Sequence, residues 1–176
     1  MTDELTPTDD TTPTDDTIPT DDTTPTDDTT PTDEMLAIAI IDALNERRLD
    51  DVIARLAPSY RAEWPEGELD LDQAALREIE LLTAFPDTHF GVERVSTLSD
   101  GRVLVEATVT GTHTGLLSLP GGIVVTETGL PIRLPFTFLM RFEDGLLESE
   151  RLFFDQLTML LQVGATPAAR SVRAGS

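Results

Sequence analysis

An aspartate beside apolar residues is the first candidate for chemistry in this sequence. Asp155 lies in ERLFFDQLTMLLQVG, residues 150–164, where it follows two phenylalanines and precedes an apolar run with helical spacing. An ionised carboxylate is costly to bury unless it is hydrogen-bonded or paired. In an apolar environment its pKa rises towards neutrality, which suits a general acid or base. Asp155 is therefore a candidate catalytic residue.

The orientation of Asp155 depends on whether it continues the preceding strand or begins the following helix. Period-two alternation along LLESERLFFD groups Arg151, Phe153 and Asp155 on one face. Glu148 and Glu150 lie on the other face, which is predicted to meet solvent, so Asp155 and Arg151 are predicted to point inward. They are roughly 13 Å apart along a strand, too far for a contact, but both could line one cavity. The alternative is that Asp155 is only the N-cap of the next helix, a position that Asp favours.

Two histidines and the segment YRAEWPEG supply the other polar candidates. His113 lies on the apolar face of a predicted strand, where a lone histidine is more often a hydrogen-bonded core residue than a catalyst. His89 is predicted to be semi-exposed at a strand start. Glu63 and Trp64 either line a pocket or lie in a loop. Because the histidines have no HxH or HExxH spacing, no metal site is predicted.

Three helices are predicted in the part of the chain that precedes the first strand. DEMLAIAIIDALNERR has a dense apolar stripe after Asp33, a candidate N-cap. LDDVIARLAP is predicted to be a short helix that begins near Asp50 and ends before Pro58. The third helix is DLDQAALREIELLTAF, and the residues that share one of its faces are Ala75, Ile79 and Leu82.

A run of antiparallel strands is predicted after these helices. The hairpin signal SDG separates THFGVERVSTLS from RVLVEATVTGTH, and EDG separates PIRLPFTFLMRF from LLESERLFFD. A last helix, QLTMLLQVG, is predicted to end at Gly164. Helices followed by strands indicate an α+β plan in which a curved sheet packs on helices. Alternation places two sets of side chains on shared faces, Val103, Val105, Ala107, Val109 and His113 on one strand and Phe136, Phe138, Met140 and Phe142 on another.

The first 34 residues differ in composition from the rest. Residues 5–34 repeat a six-residue unit, T-x-P-T-D-D, and residues 1–34 hold 12 acidic and no basic side chains. Such a segment cannot bury enough apolar surface to offset its chain entropy, so residues 1–34 are predicted to be a disordered acidic tail. It is interpreted as a solvating extension; the alternatives are a partner-binding arm, or translation that starts at Met35. A folded domain is predicted over residues 35–164, with a flexible end over residues 165–176.

Composition excludes several classes of function. The net charge of −21, from 33 acidic and 12 basic residues, argues against nucleic-acid backbones and anionic membranes as partners. All basic residues are arginines, so neither a Schiff-base lysine nor a P-loop lysine is available. The absence of cysteine excludes disulfides and thiol nucleophiles. With no secretory signal and no membrane-spanning stretch, a cytoplasmic protein is expected.

Four motifs in order resemble the SnoaL-like polyketide cyclase (ester cyclase) family of the nuclear transport factor two-like superfamily. They are AFPDTHF, GTHTG, TGLPIRLPFTFLMRFEDG and ERLFFDQLTMLLQVG, and the resemblance runs from about Met35 to about Gly164. It implies a cone-shaped α+β barrel, in which a strongly curved, mostly antiparallel sheet wraps around the N-terminal helices and a deep apolar pocket. It also implies a homodimer or higher oligomer that needs no metal or organic cofactor.

The resemblance further implies aldol-type cyclisation or isomerisation of an apolar, polyketide-like carbonyl compound. Asp155 corresponds to the family's acid/base aspartate, and His113, in the family's GTH motif, would help to hold an enolate oxygen. Many relatives have a histidine near SYRAEW, where this chain has Glu63 and Trp64. The residues expected to contact the substrate are Arg151, Trp64, Glu63, Tyr60, Phe138, Phe153 and Met140.

Two other functions are compatible with the same sequence. The first is a non-catalytic module that holds a hydrophobic ligand or mediates association, which a pocket filled by its own side chains would favour. The second is an epoxide hydrolase, which would need an Asp-Arg-Asp set around a water molecule. Arg151 and Asp155 offer two members of that set.

Overall fold

The computed structural model describes residues 31–119 and 123–165 of the chain. Residues 1–30 of the predicted tail and residues 166–176 of the predicted C-terminal end lie outside the described residues. The elements, in chain order, are α1 (Asp33–Asn45), α2 (Leu49–Ile53), β1 (Leu56–Trp64), β2 (Gly67–Asp70), α3 (Leu71–Ala84), β3 (His89–Thr97), β4 (Val103–Thr112), β5 (Leu117–Leu119), β6 (Ile123–Val125), β7 (Pro131–Glu143), β8 (Leu146–Phe154) and α4 (Gln156–Gln162).

Six strands form one sheet in the order β2-β1-β8-β7-β4-β3, and β5 and β6 form a separate two-stranded antiparallel sheet. All neighbouring strands of the large sheet are antiparallel except β1 and β8, which run parallel. One face of this sheet packs against the helices around a core of apolar side chains. The predicted α+β architecture with a mostly antiparallel sheet is thus confirmed.

Local sequence signals account for the ends of the long helices. The hydroxyl of Thr32, rather than the predicted Asp33, caps α1 by accepting a hydrogen bond from the Met35 amide at 3.3 Å. In α3, Asp70 and Gln73 form a reciprocal capping box, with distances of 2.9 and 3.0 Å. Since α1 begins at Asp33, the folded segment starts two residues before the predicted boundary.

The second helix ends before Pro58, as predicted, but it is shorter than the segment LDDVIARLAP indicated. Helix α2 ends at Ile53, and Pro58 lies inside strand β1. This strand forms because alternation along YRAEW places Tyr60 and Trp64 on the core face, where both are buried, and because its backbone pairs with β8. The interpretation of YRAEWPEG as a loop is therefore wrong up to Trp64.

Alternation predicts the faces of β4 and β7 correctly but fails on β8. Every second residue of β4 from Val103 is buried, and Phe138 and Met140 are buried on β7. On β8, Phe142 pairs with Leu147 while Arg141 pairs with Ser149, so Glu148 is an extra residue that forms a β-bulge. The inward residues of β8 are therefore Leu147, Glu150, Leu152 and Phe154. Alternation without a bulge had predicted that Arg151 and Phe153 would point inward.

Candidate active site

A cavity of about 280 Å³ lies between the helices and the inner face of the sheet. Its lining is mostly apolar and comes from helices α1, α2 and α3, from the inner faces of the sheet strands and from α4. Exposed Ile53 on α2 and Ile79 on α3 both contribute, which places its entrance at these two helices. Aromatic side chains are prominent, and they are Tyr60, Trp64, Phe85, Phe90, Phe136, Phe138 and Phe154.

The charged side chains of the lining are all carboxylates. Glu150 projects from β8, Glu78 from α3, and exposed Asp50 lies at the α2 end of the cavity. Among the described residues that line the cavity there is no arginine and no histidine. The cavity therefore combines an apolar interior with a negative electrostatic potential.

Glu150 is the most deeply placed of these acids, because the β-bulge at Glu148 turns it to the inner face of the sheet. Glu150 is only 8% exposed, and its Oε1 accepts a hydrogen bond of 2.8 Å from the Trp64 indole nitrogen. Burial raises the pKa of the Glu150 carboxyl, and the hydrogen-bond donors Trp64 and Tyr60 oppose that rise. Glu150 is thus a desolvated carboxyl with one oxygen held in place.

Glu78 interrupts the apolar face of α3. It lies one helical turn after Ala74, a small residue that leaves space in front of its carboxyl. Burial and the charge of Glu150 raise the pKa of Glu78 to about 7, against the weaker opposing effects of Arg47 and Arg77. A carboxyl that titrates near neutrality can both accept and donate a proton at physiological pH.

The two arginines that act on Glu78 are held by other partners. Arg77 donates to the Glu66 carboxylate at 2.6 Å and to the Ser118 carbonyl at 2.6 Å. Arg47 donates to the carbonyls of Pro86 and Thr88 at 2.8 and 2.6 Å. Neither lines the cavity. Their positive charges reach Glu78 only at longer range, which leaves its carboxyl available to a ligand.

The residue expected to cooperate with the catalytic acid, His113, is buried but lies behind the cavity wall. Its ring is fully inaccessible and packs on Phe85, a lining residue, with ring centroids 5.2 Å apart. Its Nδ1 lies 3.1 Å from the Thr128 hydroxyl. Burial lowers the pKa of His113, which favours the neutral imidazole. Alternation placed His113 on the correct face, but His113 does not line the cavity, whereas its neighbour Phe85 does.

The predicted inward orientation of Asp155 is wrong, and the N-cap interpretation is confirmed. Asp155 is exposed at the start of α4, where it accepts hydrogen bonds from the Thr158 amide at 2.9 Å and the Thr158 hydroxyl at 2.6 Å. These hydrogen bonds lower the pKa of Asp155. Phe154, which precedes Asp155, and Met159, one helical turn after it, line the cavity, but the Asp155 carboxylate does not.

Three other predicted substrate contacts lie on the outer face of the sheet. Arg151 and Glu63 form an ion pair of 2.5 Å, and each side chain is 48% exposed. The Arg151 guanidinium also lies 6.0 Å from the ring centroid of Phe153, which is 51% exposed. The predicted inward orientation of Arg151 and Phe153 is wrong, since the bulge at Glu148 reverses the alternation on β8. Glu63 is exposed because it alternates with the buried residues of β1. Arg151 and Asp155 consequently do not meet in the cavity as an epoxide hydrolase would require.

The four remaining residues predicted to contact a substrate lie in the cavity wall, and two candidate acids were not predicted. Tyr60, Trp64, Phe138 and Met140 all line the cavity. An acid among the apolar residues of a helix face, as in LREIELL, was the signal that could have identified Glu78. Glu150 had no comparable signal, because its orientation depends on the bulge.

Within residues 31–119 and 123–165, no group of three or more histidine, aspartate or glutamate side chains is arranged to hold a metal ion. None of the helices over the same residues is long and apolar enough to cross a membrane.

The α+β fold around an apolar cavity is of the ketosteroid isomerase-like kind. Among proteins with this fold, the chain belongs to the SnoaL-like polyketide cyclase family, whose profile matches residues 34–163. A comparison with curated protein sequences finds no match.

Solved structures with the same fold support this assignment. AclR from Streptomyces galilaeus, a proposed hydroxylase, is 25% identical, with a TM-score of 0.65 over 75% of this chain and 95% of its own. A SnoaL-like proposed polyketide cyclase from Jannaschia sp. is 23% identical, with a TM-score of 0.62 over 75% and 94%. A ketosteroid isomerase-like protein from Catenulispora acidiphila, in complex with trimethylamine, is 16% identical, with a TM-score of 0.60 over 77% and 96%. The chain therefore has the fold of a small-molecule enzyme family.

Proposed function

We propose that this protein catalyses proton transfer on an apolar carbonyl compound bound in the cavity, with Glu78 as the acid/base residue. The observation that carries the proposal is a carboxyl group with a pKa of about 7 inside a mostly apolar cavity. The ideal pKa of a general base lies near the operating pH, and burial is the usual means of reaching it with glutamate. The reaction class is aldol-type cyclisation or isomerisation, without an organic cofactor.

The chemical step begins with ionised Glu78. Its carboxylate removes a proton from the carbon next to the substrate carbonyl, and the C–H electron pair forms the double bond of an enolate. In isomerisation, protonated Glu78 returns the proton to a different carbon. In cyclisation, the enolate carbon forms a bond to a second carbonyl carbon, and Glu78 returns the proton to the resulting alkoxide.

Tyr60 supports this step if substrate binding redirects its hydroxyl proton from Glu150 to the enolate oxygen. Burial and the negative charge of Glu150 raise the pKa of the Tyr60 hydroxyl, so the group keeps its proton at physiological pH. A preorganised donor in a site that excludes water stabilises a developing oxyanion more strongly than water does. The apolar lining, including Phe138 and Met140, binds the body of the substrate.

A competing assignment retains Asp155 as the acid/base and His113 as the oxyanion partner, as the family resemblance implies. It would require Asp155 to leave its cap position on α4 and His113 to act past Phe85. The exposure of Asp155 and its lowered pKa favour Glu78 instead.

Non-catalytic ligand binding is the second candidate function. The strongly apolar lining supports it, because such a cavity would hold a hydrophobic molecule without any chemistry. Against it, Phe136, Phe138, Met140 and Trp64 line the cavity but leave about 280 Å³ open, and nothing in simple apolar binding calls for two desolvated acids.

Assembly and location follow from the family resemblance. We propose a cytoplasmic homodimer or higher oligomer that associates through the outer face of the sheet, where Phe153 is exposed. Size-exclusion chromatography with light scattering gives the mass, and Phe153→Ser is expected to lower it towards that of a monomer.

The proposed function is tested by α-proton exchange. 4-Phenylbutan-2-one in D2O exchanges its α-protons for deuterium whenever an enolate forms, and the loss of signal is followed by proton NMR. We expect the wild-type protein to accelerate exchange, with a rate that rises with pH and levels off above about 7. Glu78→Gln is expected to slow it by at least about 100-fold.

Two variants serve as controls for this assay. Glu68→Gln removes an exposed acid on β2 and is expected to leave the rate unchanged. Asp155→Asn separates the two assignments: a loss of exchange comparable to that of Glu78→Gln would refute the role given to Glu78. Ketone binding without any exchange would favour the non-catalytic function.

A further inference from the structure

The cavity has a charge imbalance that its own residues do not correct. Glu150 is buried, and its two hydrogen-bond donors, the Trp64 indole at 2.8 Å and the Tyr60 hydroxyl, are both neutral. Removing an ionised carboxylate from water costs several kcal/mol unless an opposite charge or several donors compensate. Arg77 and Arg47, which act on neighbouring Glu78, are engaged elsewhere and do not line the cavity.

Two aromatic side chains donate to the same carboxyl, through the Trp64 indole and the Tyr60 hydroxyl. Phe138 and Phe154 belong to the lining of the same cavity. The faces of aromatic rings attract cations, and this attraction is strongest where water is excluded. A buried carboxyl among aromatic rings is therefore complementary to an organic cation and unfavourable for an anion.

We propose that the substrate carries a basic amine in addition to its carbonyl group, and that the protonated amine binds against Glu150 and the rings of Tyr60 and Trp64. This inference rests on the proposed function and divides the work between the two acids. Glu150 binds the cation, while Glu78 transfers the proton. The ligand thereby supplies the positive charge that the lining lacks.

The charge of the whole molecule acts in the same direction. A net charge of −21 attracts cations at long range, and exposed Asp50 continues the negative potential to the α2 end of the cavity. Every surface acid contributes to this long-range attraction, whereas Glu150 makes the proposed direct contact with the protonated amine. Variants that remove one charge each can therefore separate the two contributions.

Binding can be measured without a label, because Trp64 is the chain's single tryptophan and lines the cavity. Its fluorescence is titrated at pH 8 in 150 mM NaCl with three probes of matched shape: 4-phenylbutylamine, 4-phenylbutan-1-ol and 4-phenylbutyrate. The amine is expected to bind at least about tenfold more tightly than the alcohol, and the carboxylate most weakly.

The variants locate the effect. Glu150→Gln is expected to bring the amine and the alcohol to within about twofold of each other, and Glu68→Gln, which removes the same charge from the surface, is expected to keep the wild-type preference. Circular dichroism checks that Glu150→Gln is folded. If Glu150→Gln is unfolded, the order of the wild-type affinities for the three probes tests the inference instead.

Each outcome has a defined meaning. Equal or tighter binding of the alcohol, a preference that survives Glu150→Gln, or no response to any probe overturns the inference. Ketone exchange that depends on Glu78 would then still support the proposed function. Conversely, a Glu150-dependent preference for the amine without any ketone exchange would leave the inference standing and refute the proposed function.

Discussion

Replacing Glu78 by glutamine is expected to stabilise the protein at pH 8 while removing its activity. The unfolded chain exposes Glu78 to water, where its pKa is the ordinary 4.5, and the folded protein raises that pKa to about 7. Between these two values the folded state binds more protons than the unfolded state, so stability falls as the pH rises. Above pH 7 the folded protein bears the full cost of holding the ionised carboxylate.

The size of this effect follows from the pKa change. At about 1.4 kcal/mol for each pH unit, a rise from 4.5 to about 7 corresponds to about 3 kcal/mol. Because Glu78 is partly exposed and couples to Glu150, this value is an upper bound, and we expect about 1 to 3 kcal/mol at pH 8. Near pH 4.5 the carboxyl is protonated in the folded protein and half protonated in the unfolded chain, so the variant and the wild type should differ little there.

Urea denaturation followed by Trp64 fluorescence measures this difference. Unfolding curves are collected between pH 4.5 and 8.5 for the wild type, Glu78→Gln and the surface control Glu68→Gln. The free energy of unfolding of Glu78→Gln should exceed that of the wild type by an amount that grows with pH, while the control stays parallel to the wild type. A constant difference across this range, or a variant that is less stable at pH 8, would refute the reasoning about Glu78.

Three further predictions concern the cap, the buried histidine and a close backbone contact. Asp155→Ala should lower the urea midpoint but leave ketone exchange within about twofold of the wild-type rate. Because folding lowers the pKa of Asp155, the carboxylate stabilises the protein above pH 3.8, its ordinary pKa. This stabilisation is lost as the pH falls through the pKa of the folded state. His113 should titrate below its ordinary value of 6.5 in an NMR titration, and its neutral burial should make stability decrease as the pH falls below that value. Gly115→Ala should cost about 1 to 3 kcal/mol in urea denaturation, since its new Cβ would lie 2.2 Å from the Thr83 carbonyl oxygen, while Gly91→Ala, with a contact of 3.5 Å, should cost less.

The sequence predicted most elements and several residues of the site because these depend on local patterns. The third helix forms where its apolar face predicted it, and alternation assigned β4 and β7 to the correct faces. Tyr60, Trp64 and Phe138 were also expected in the pocket, and the structure places them there. Each of these features repeats at a fixed spacing along the chain, which a sequence displays directly.

Strand pairing decided the features that local patterns could not. The ladder with β8 draws Pro58 into β1, although the residues before it favour a helix. The extra residue Glu148 exists only relative to the partner strand β7, and it exchanges the faces of Arg151 and Glu150. A one-residue shift reverses every later side chain of a strand, so a single bulge moved the predicted acid out of the site.

The sequence by itself determined that an acid would be held in an apolar pocket of an α+β protein, and the tertiary structure decided which acid. Asp155 had two compatible roles, and the amide and hydroxyl of Thr158 select the cap. Glu78 and Glu150 are far apart along the chain and acquire raised pKa values only because folding buries both in one cavity. Desolvation and the interaction between charges depend on distances through space, which spacing along the chain does not specify.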